Sequence, residues 1–303
     1  MKNISQIAPH RVGSRFALPI LAAVAVGLCF GGKAQAAPEA NQLAPIQTVE
    51  ASQPQAWNQS CPNSLSEAVH SVLNRSYIAQ KGWGVLVESL DRGAVLYSHN
   101  ANQRFIPASN SKIFTTAAAL QSLGPQYQIR SQSLSSWVNT VNTYSNNGYA
   151  DFLLKQVGGQ QSVRTQLWND LGIDPNQYRQ TDGSGLSRYN LASPETLVNT
   201  LRGMSRTANW STFYYSLPSS GETGTLRNRL QSPEVRGKVR AKTGTLYGVR
   251  ALSGYLQHPE YGPLTFSILA NQSSQPGSVL VKTIDEIVLK MARSHPCGGA
   301  ASL

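Results

Sequence analysis

The sequence predicts a mixed α/β (α+β) chain built on an antiparallel sheet, and three observations carry that prediction. The stretch GWGVLVESLDRGAVLYSHN alternates β-formers on both sides of a DRG turn, which is the pattern of a hairpin. A second β-rich run, VRAKTGTLYGVRALSGYL, leads into the connection HPEYGP. Around these lie segments with helical apolar spacing: SLSEAVHSVLN, SSWVNTVNTY, GYADFLLKQVG and PGSVLVKTIDEIVLKMAR.

In chain order, MKNISQIAPHRVGSR is basic with no acid, FALPILAAVAVGLCFGG is a short apolar run, and AQAA supplies small residues for cleavage. This predicts a secretory signal peptide over residues 1–36. The apolar run is broken by Gly and is shorter than the roughly 20 residues that span a bilayer, so no integral membrane span is expected in the mature chain. Leu28 precedes Cys29, against a lipoprotein signal. Residues 37–60, rich in Ala, Pro and Gln, read as a flexible linker. The folded domain is expected over 61–297, with 298–303 as a frayed tail.

Export fits the cysteines. Once Cys29 leaves, Cys61 and Cys297 remain as an even pair in an oxidising, secreted or periplasmic setting, and a disulfide between them is expected. Losing Lys2, Arg11, Arg15 and Lys33 lowers the formal charge from +11 to about +7. The remaining basic residues are scattered, which excludes a nucleic-acid partner, and a mild positive field suits an anionic, wall-like substrate.

SLSEAVHSVLN opens the fold as a helix. In the hairpin, Trp83, Val85 and Val87 on one strand and Val95 and Tyr97 on the other are expected to share a buried face. Pro107 ends the strand region, and a helix is expected from about Ser109 to 123 through Ile113, Ala117 and Leu120. Another should cover about 134–144. Residues 276–293 close the chain as a helix facing inward through Val279, Ile284, Ile287, Val288 and Met291.

Chemistry enters at ASNSK. Ser109 and Lys112 stand at i and i+3, side by side on one turn, whereas Ser111 points elsewhere. A neutral amine beside a hydroxyl can take its proton, and a helix N-terminus favours the developing negative charge. Ser109 is therefore the candidate nucleophile, although serine is also a common N-cap. Ser145 and Asn147 follow in a polar turn between two helical segments, and Lys242, Thr243 and Gly244 lie on a strand. Alone, SNN reads as a surface turn and KTG as a strand edge. In this order, SxxK, SxN and KTG form the signature of penicillin-recognising serine enzymes.

Together with TDGSGLSRYNLASP, SSGETGTLRNRL and VRAKTGTLYGVRALSGYL, these motifs make the chain resemble the class C low-molecular-mass penicillin-binding proteins, the D-alanyl-D-alanine carboxypeptidase and endopeptidase family, over most of residues 77–292. The resemblance implies a penicillin-binding transpeptidase/β-lactamase-like fold: a five-stranded antiparallel sheet flanked by helices, plus a helical lobe bearing SxN, with the site between them. It implies cleavage of peptidoglycan stem peptides through an acyl-serine, with β-lactams acylating the same serine. Carried over by position, it implies Ser109 as nucleophile, Lys112 as general base, and Ser145 with Lys242 as a proton relay. Asn147 would hold the acyl side chain's amide. A Lys242 ammonium with the hydroxyls of Thr243 and Thr245, on the strand that Gly244 completes, suits the substrate carboxylate. The backbone N–H groups of Ser109 and Thr245 would form an oxyanion hole. Burial and the charge of Lys242 are both expected to lower the pKa of Lys112. No cofactor and no metal are expected, since GxSxG and HExxH do not occur and His70, His99 and His258 read as isolated surface or loop residues.

The chain departs from the family in one respect. Members typically carry large domains between the first two motifs, whereas here residues 113–144 alone separate Lys112 from Ser145. A helix running roughly 22 Å out and another roughly 16 Å back can still close the path at 1.5 Å per residue. Two competing readings remain at this level: a β-lactamase with Glu195 as deacylating base, and a non-catalytic wall-binding or regulatory protein of the same fold.

Overall fold

The computed structural model describes residues 61–75, 78–272 and 274–297. The expected signal peptide, linker and tail lie outside the described residues.

Five strands form one antiparallel sheet: β1 (Trp83–Ser89), β2 (Val95–His99), β5 (Val239–Leu246), β6 (Val249–His258) and β7 (Gly262–Asn271). Their order is β2-β1-β7-β6-β5, so the N-terminal hairpin joins the C-terminal meander through β1 and β7, with Val85 opposite Ile268 and Val87 opposite Phe266. HPEYGP connects β6 to β7, and the KTG strand β5 turns into β6 at Tyr247 and Gly248.

The strands are covered on both sides, which explains why all seven residues of β1 are buried. One face, with Val85, Val87, Leu252 and Ile268, packs against α1 (Leu65–Leu73) and α8 (Gly277–Ala292). Ser64 caps α1 by accepting from the Glu67 N–H at 3.3 Å, as the Ser-x-x-Glu spacing allows. The opposite face, with Ala251, Tyr255 and Leu269, meets the helical lobe, whose core includes Phe114, Leu120, Trp137, Leu153 and Leu201.

Two face assignments need correction. Val95 is 40% exposed. A register shift opposite Val87 and Glu88 lets Leu96 and Tyr97 both enter the core and turns Val95 outward on the edge strand. In α8, Leu280 is buried and Val279 only half-buried, because the inward stripe runs 280, 284, 287, 288, 291.

The lobe contains α2 (Ser111–Leu123), α3 (Leu134–Thr143), α4 (Asn147–Gln156), α5 (Gly159–Leu171), α6 (Pro194–Met204) and α7 (Trp210–Ser216). Gly124, at φ +76°, ends α2 in a conformation that favours glycine. A small pair unforeseen in the sequence, β3 (Gln128–Ile129) with β4 (Gln132–Ser133), reverses the chain, and Ser133 caps α3. The short link therefore goes out along one helix and back along the next.

The ends of the domain meet at the β6–β7 connection. Cys61 and Cys297 are joined by a disulfide. Tyr261 Oη donates to the His295 carbonyl at 2.8 Å and accepts from the Leu65 N–H at 3.2 Å. His258 is buried here, contrary to the surface or loop position expected. Its Nδ1 accepts from the N–H groups of Glu260 and Tyr261, both at 3.1 Å, and so shapes the turn, while burial pushes its pKa down.

The disulfide closes a loop of 236 residues in sequence. Replacing both cysteines with alanine is expected to lower unfolding stability by about 2–5 kcal/mol. Chemical denaturation of the two proteins measures this, and an unchanged midpoint would refute it.

Candidate active site

Ser109 sits on a 3-10 turn, Ala108–Asn110, and α2 begins only at Ser111. The helix expected from Ser109 is thus preceded by a tighter turn. Ala108 holds φ +48°, a left-handed conformation unusual for a residue with a side chain. The turn is rooted in the sheet: Asn110 Nδ2 donates to Ser253 Oγ at 2.8 Å, and Ser253 Oγ donates to Ser267 Oγ at 2.8 Å.

Two glycines let neighbouring backbone close on this turn. A Cβ at Gly244 would lie 2.7 Å from the Pro107 carbonyl oxygen, and one at Gly185 would lie 1.9 Å from that of Ala108. Gly185 also holds φ +84°. Neither position has space for a side chain.

Lys112, one turn on from Ser109, is fully buried. Its Nζ donates to Ser109 Oγ at 2.9 Å, to Asn147 Oδ1 at 2.8 Å and to the Ser184 carbonyl. Three acceptors match the three protons of an ammonium. Burial nevertheless lowers its pKa to about 8, against the opposing charges of Asp151 and Asp182. One pH unit below that value, at pH 7, about a tenth of the amine is neutral and able to take a proton.

Lys242 is also fully buried, on β5, where its Nζ donates to Ser145 Oγ at 2.9 Å and to the Thr243 carbonyl at 3.1 Å. Burial first, and the charge of Lys112 second, hold it well below the usual lysine range. The mutual influence expected between the lysines thus falls on Lys242, while burial alone lowers Lys112. Before a ligand enters, this interior disfavours the Lys242 ammonium proposed as a carboxylate clamp. Ser145 holds φ +58° in the turn between α3 and α4, and Asn147 is the first residue of α4.

Thr243 Oγ1 donates to Thr225 Oγ1 at 2.8 Å, and Thr245 is exposed at the mouth. The Ala241 N–H points to the outer edge of β5, where it meets the Pro218 carbonyl. By strand alternation the N–H groups of Thr243 and Thr245 point to that same edge, beside the Ser109 turn. Ser109, Lys112, Ser145, Asn147, Lys242, Thr243, Gly244 and Thr245 therefore converge. Ser111 is buried and outside this set of hydrogen bonds.

Sequence reasoning passed over the loop that holds the lysine. Asp182 accepts from the N–H groups of Gly185 at 2.5 Å and Ser187 at 2.7 Å and from Asn190 Nδ2 at 3.0 Å, while Asp151 accepts from the Ser184 N–H at 2.9 Å. These bonds aim the Ser184 carbonyl at Lys112. The Asp-Gly turn signal in TDGSGLSRYN was visible, but its target was not. Glu195, weighed as a base, heads α6 instead, where its charge acts on Glu88 beside Arg202.

Residues 65–132 and 128–291 match the D-Ala-D-Ala carboxypeptidase 3 (S13) family. A D-alanyl-D-alanine carboxypeptidase of Actinomadura sp. (strain R39) is 40% identical over 166 residues, 49% of this chain and 30% of that protein. Penicillin-sensitive carboxypeptidase A of Dictyostelium discoideum is 30% identical over 185 residues, 55% of this chain and 35% of that protein. The chain thus spans about a third of the length of these curated relatives. Among solved structures, penicillin binding protein 4 of Haemophilus influenzae in complex with a β-lactam aligns with TM-score 0.65 at 14% identity, covering 76% of this chain and 99% of that one. That likeness establishes the penicillin-binding transpeptidase/β-lactamase-like fold.

Gly185→Ala is expected to destabilise the domain by more than about 1 kcal/mol, combining left-handed strain with backbone overlap. Gly172→Ala, at φ +68° in open space, carries only the strain and serves as the control. Equal losses in the two variants, read by thermal or chemical unfolding, would remove the close-approach argument.

Proposed function

The chain belongs to the D-Ala-D-Ala carboxypeptidase 3 (S13) family, and from that premise we propose that it is a serine-type D-Ala-D-Ala carboxypeptidase that cleaves peptidoglycan stem peptides and is acylated by β-lactams. One observation carries the reading: two serine hydroxyls each accept from a buried lysine at 2.9 Å, Ser109 from Lys112 and Ser145 from Lys242.

In this mechanism neutral Lys112 takes the Ser109 proton as Oγ attacks the carbonyl carbon of the penultimate D-Ala. The resulting oxyanion is received by the N–H groups of Ser109 and Thr245. The C–N bond then breaks, and the leaving amine takes a proton from Ser145, which Lys242 replaces and the Lys112 ammonium in turn restores, so that Lys112 is neutral again. Asn147 orients the acyl amide. The substrate carboxylate meets the Thr243 and Thr245 hydroxyls and draws Lys242 toward its charged form, because an anion offsets the cost of burying the cation. Water, activated by Lys112, releases the acyl group. With a β-lactam the same attack opens the ring, and the amine stays attached to the acyl-enzyme.

We further propose that the protein is exported, that residues 1–36 are removed as a signal peptide, that 37–60 act as a linker and 298–303 as a tail, and that the 61–297 domain works at the wall. Among the described residues no helix is long and apolar enough to cross a membrane. The β-lactamase reading is weaker because Glu195 lies beside Glu88 and Arg202. The non-catalytic reading is weaker because both serine–lysine pairs are intact.

Fluorescent penicillin should label the wild-type protein and Ser111→Ala covalently but leave Ser109→Ala unlabelled on a denaturing gel. The same Ser109 variant should lose D-Ala release from a soluble pentapeptide. Labelling that survives in Ser109→Ala and vanishes in Ser111→Ala would reverse the choice of nucleophile.

The rate of acylation should rise with pH through about 8, because protonated Lys112 cannot take the serine proton and the neutral amine can. Stopped-flow labelling across this range tests it. A rate that falls as pH rises through the same window would exclude Lys112 as the base.

A further inference from the structure

A second recess lies away from the catalytic cluster, where β6 ends and β7 begins. It is a groove of about 470 Å³ lined by Leu90, Asp91, Arg206, Trp210, Gln257 and Pro263, among others. Gln257 is four residues along β6 from Ser253, whose cross-strand partner is Lys242. That separation is about 14 Å along the strand.

Beside the groove, α7 carries a packed aromatic cluster, of which Trp210 lines the groove. Trp210 packs edge-on against buried Tyr255, with centroids 4.8 Å apart, and lies 4.7 Å from Tyr214. Tyr214 lies 5.2 Å from Tyr215, which is 63% exposed. The Arg240 guanidinium sits 4.9 Å over Tyr215 and 5.4 Å over Tyr214. Gln257 Nε2 donates to Tyr214 Oη at 3.4 Å, which links groove and cluster. Trp210 is held by this packing, so a ligand laid on it does not have to order it first.

We infer that this groove, with the Trp210 ring in its wall, binds the glycan strand of peptidoglycan, a neutral polymer of N-acetylated amino sugars; the choice of polymer rests on the function proposed above. Pyranose rings present flat C–H faces that stack on aromatic rings, and their hydroxyl and acetamido groups match the carboxylate, guanidinium and amide beside Trp210. Asp91 and Arg206 balance each other's charge, which suits a neutral, strongly hydrogen-bonding ligand better than an anion or a cation. The site would hold the polymer and leave the chemistry at Ser109 untouched.

The probe is a β-1,4-linked N-acetylglucosamine tetramer, titrated into ¹⁵N-labelled protein while the indole N–H of Trp210 is followed by NMR. The Trp210 resonance is expected to shift, and exposed-site variants Arg206→Ala and Asp91→Ala are expected to bind the tetramer about tenfold more weakly. Both variants should co-sediment less with insoluble peptidoglycan and release D-Ala from a soluble pentapeptide at the wild-type rate. An unmoved Trp210 resonance, or wild-type tetramer affinity in both variants, would overturn the glycan site. Tetramer binding by a protein that fails to cleave the pentapeptide would support the glycan site and sink the catalytic reading instead.

Discussion

The arrangement depends on the burial of two lysine amines. Lys112 and Lys242 are both fully buried, and each reaches one serine hydroxyl at 2.9 Å. Two ammonium ions in a dry interior would be costly, because each loses hydration and each repels the other. The chain answers that cost in two ways. Asn147, the Ser184 carbonyl and the Thr243 carbonyl supply acceptors, and both amines are displaced toward the neutral form. A neutral amine is the species that the proposed serine activation needs, so stability and that chemistry make the same demand.

Much of the fold keeps that interior in place. Asn110 ties the Ser109 turn to β6 and β7 through Ser253 and Ser267. The loop over 180–190 presses on the turn from the other side, held by Asp151 and Asp182. These two carboxylates also partly counter the desolvation of Lys112. These two side chains therefore act twice: their oxygens shape the loop, and their charge opposes the lowering of the Lys112 pKa. Gly185 and Gly244 are the points where three backbone segments come too close for a Cβ.

The fold class, the sheet and the long helices were legible because their signals are local. The period of two in WGVLVES and the helical stripe at Ile284, Ile287, Val288 and Met291 each report a buried face directly. The errors also have local causes. A bulge opposite Glu88 moved Val95 outward, and a stripe displaced by one residue exchanged Val279 for Leu280. His258 looked like a loop residue because its reason for burial is a turn closed by Glu260 and Tyr261 and covered by the C-terminal segment.

By itself the sequence determined the chemistry on offer: Ser109 with Lys112 at helical spacing, Ser145 with Asn147 in a turn, and Lys242 on a strand. Residue type and short-range spacing suffice for that, because i and i+3 neighbours meet on any helical turn. Only the tertiary structure decided which groups share a proton. Lys242 meets Ser145 across a sequence separation of 97, and Lys112 meets the Ser184 carbonyl across 72. No periodicity encodes such contacts. They arise when the helical lobe packs on the sheet and excludes water, and that same exclusion sets the protonation of both lysines.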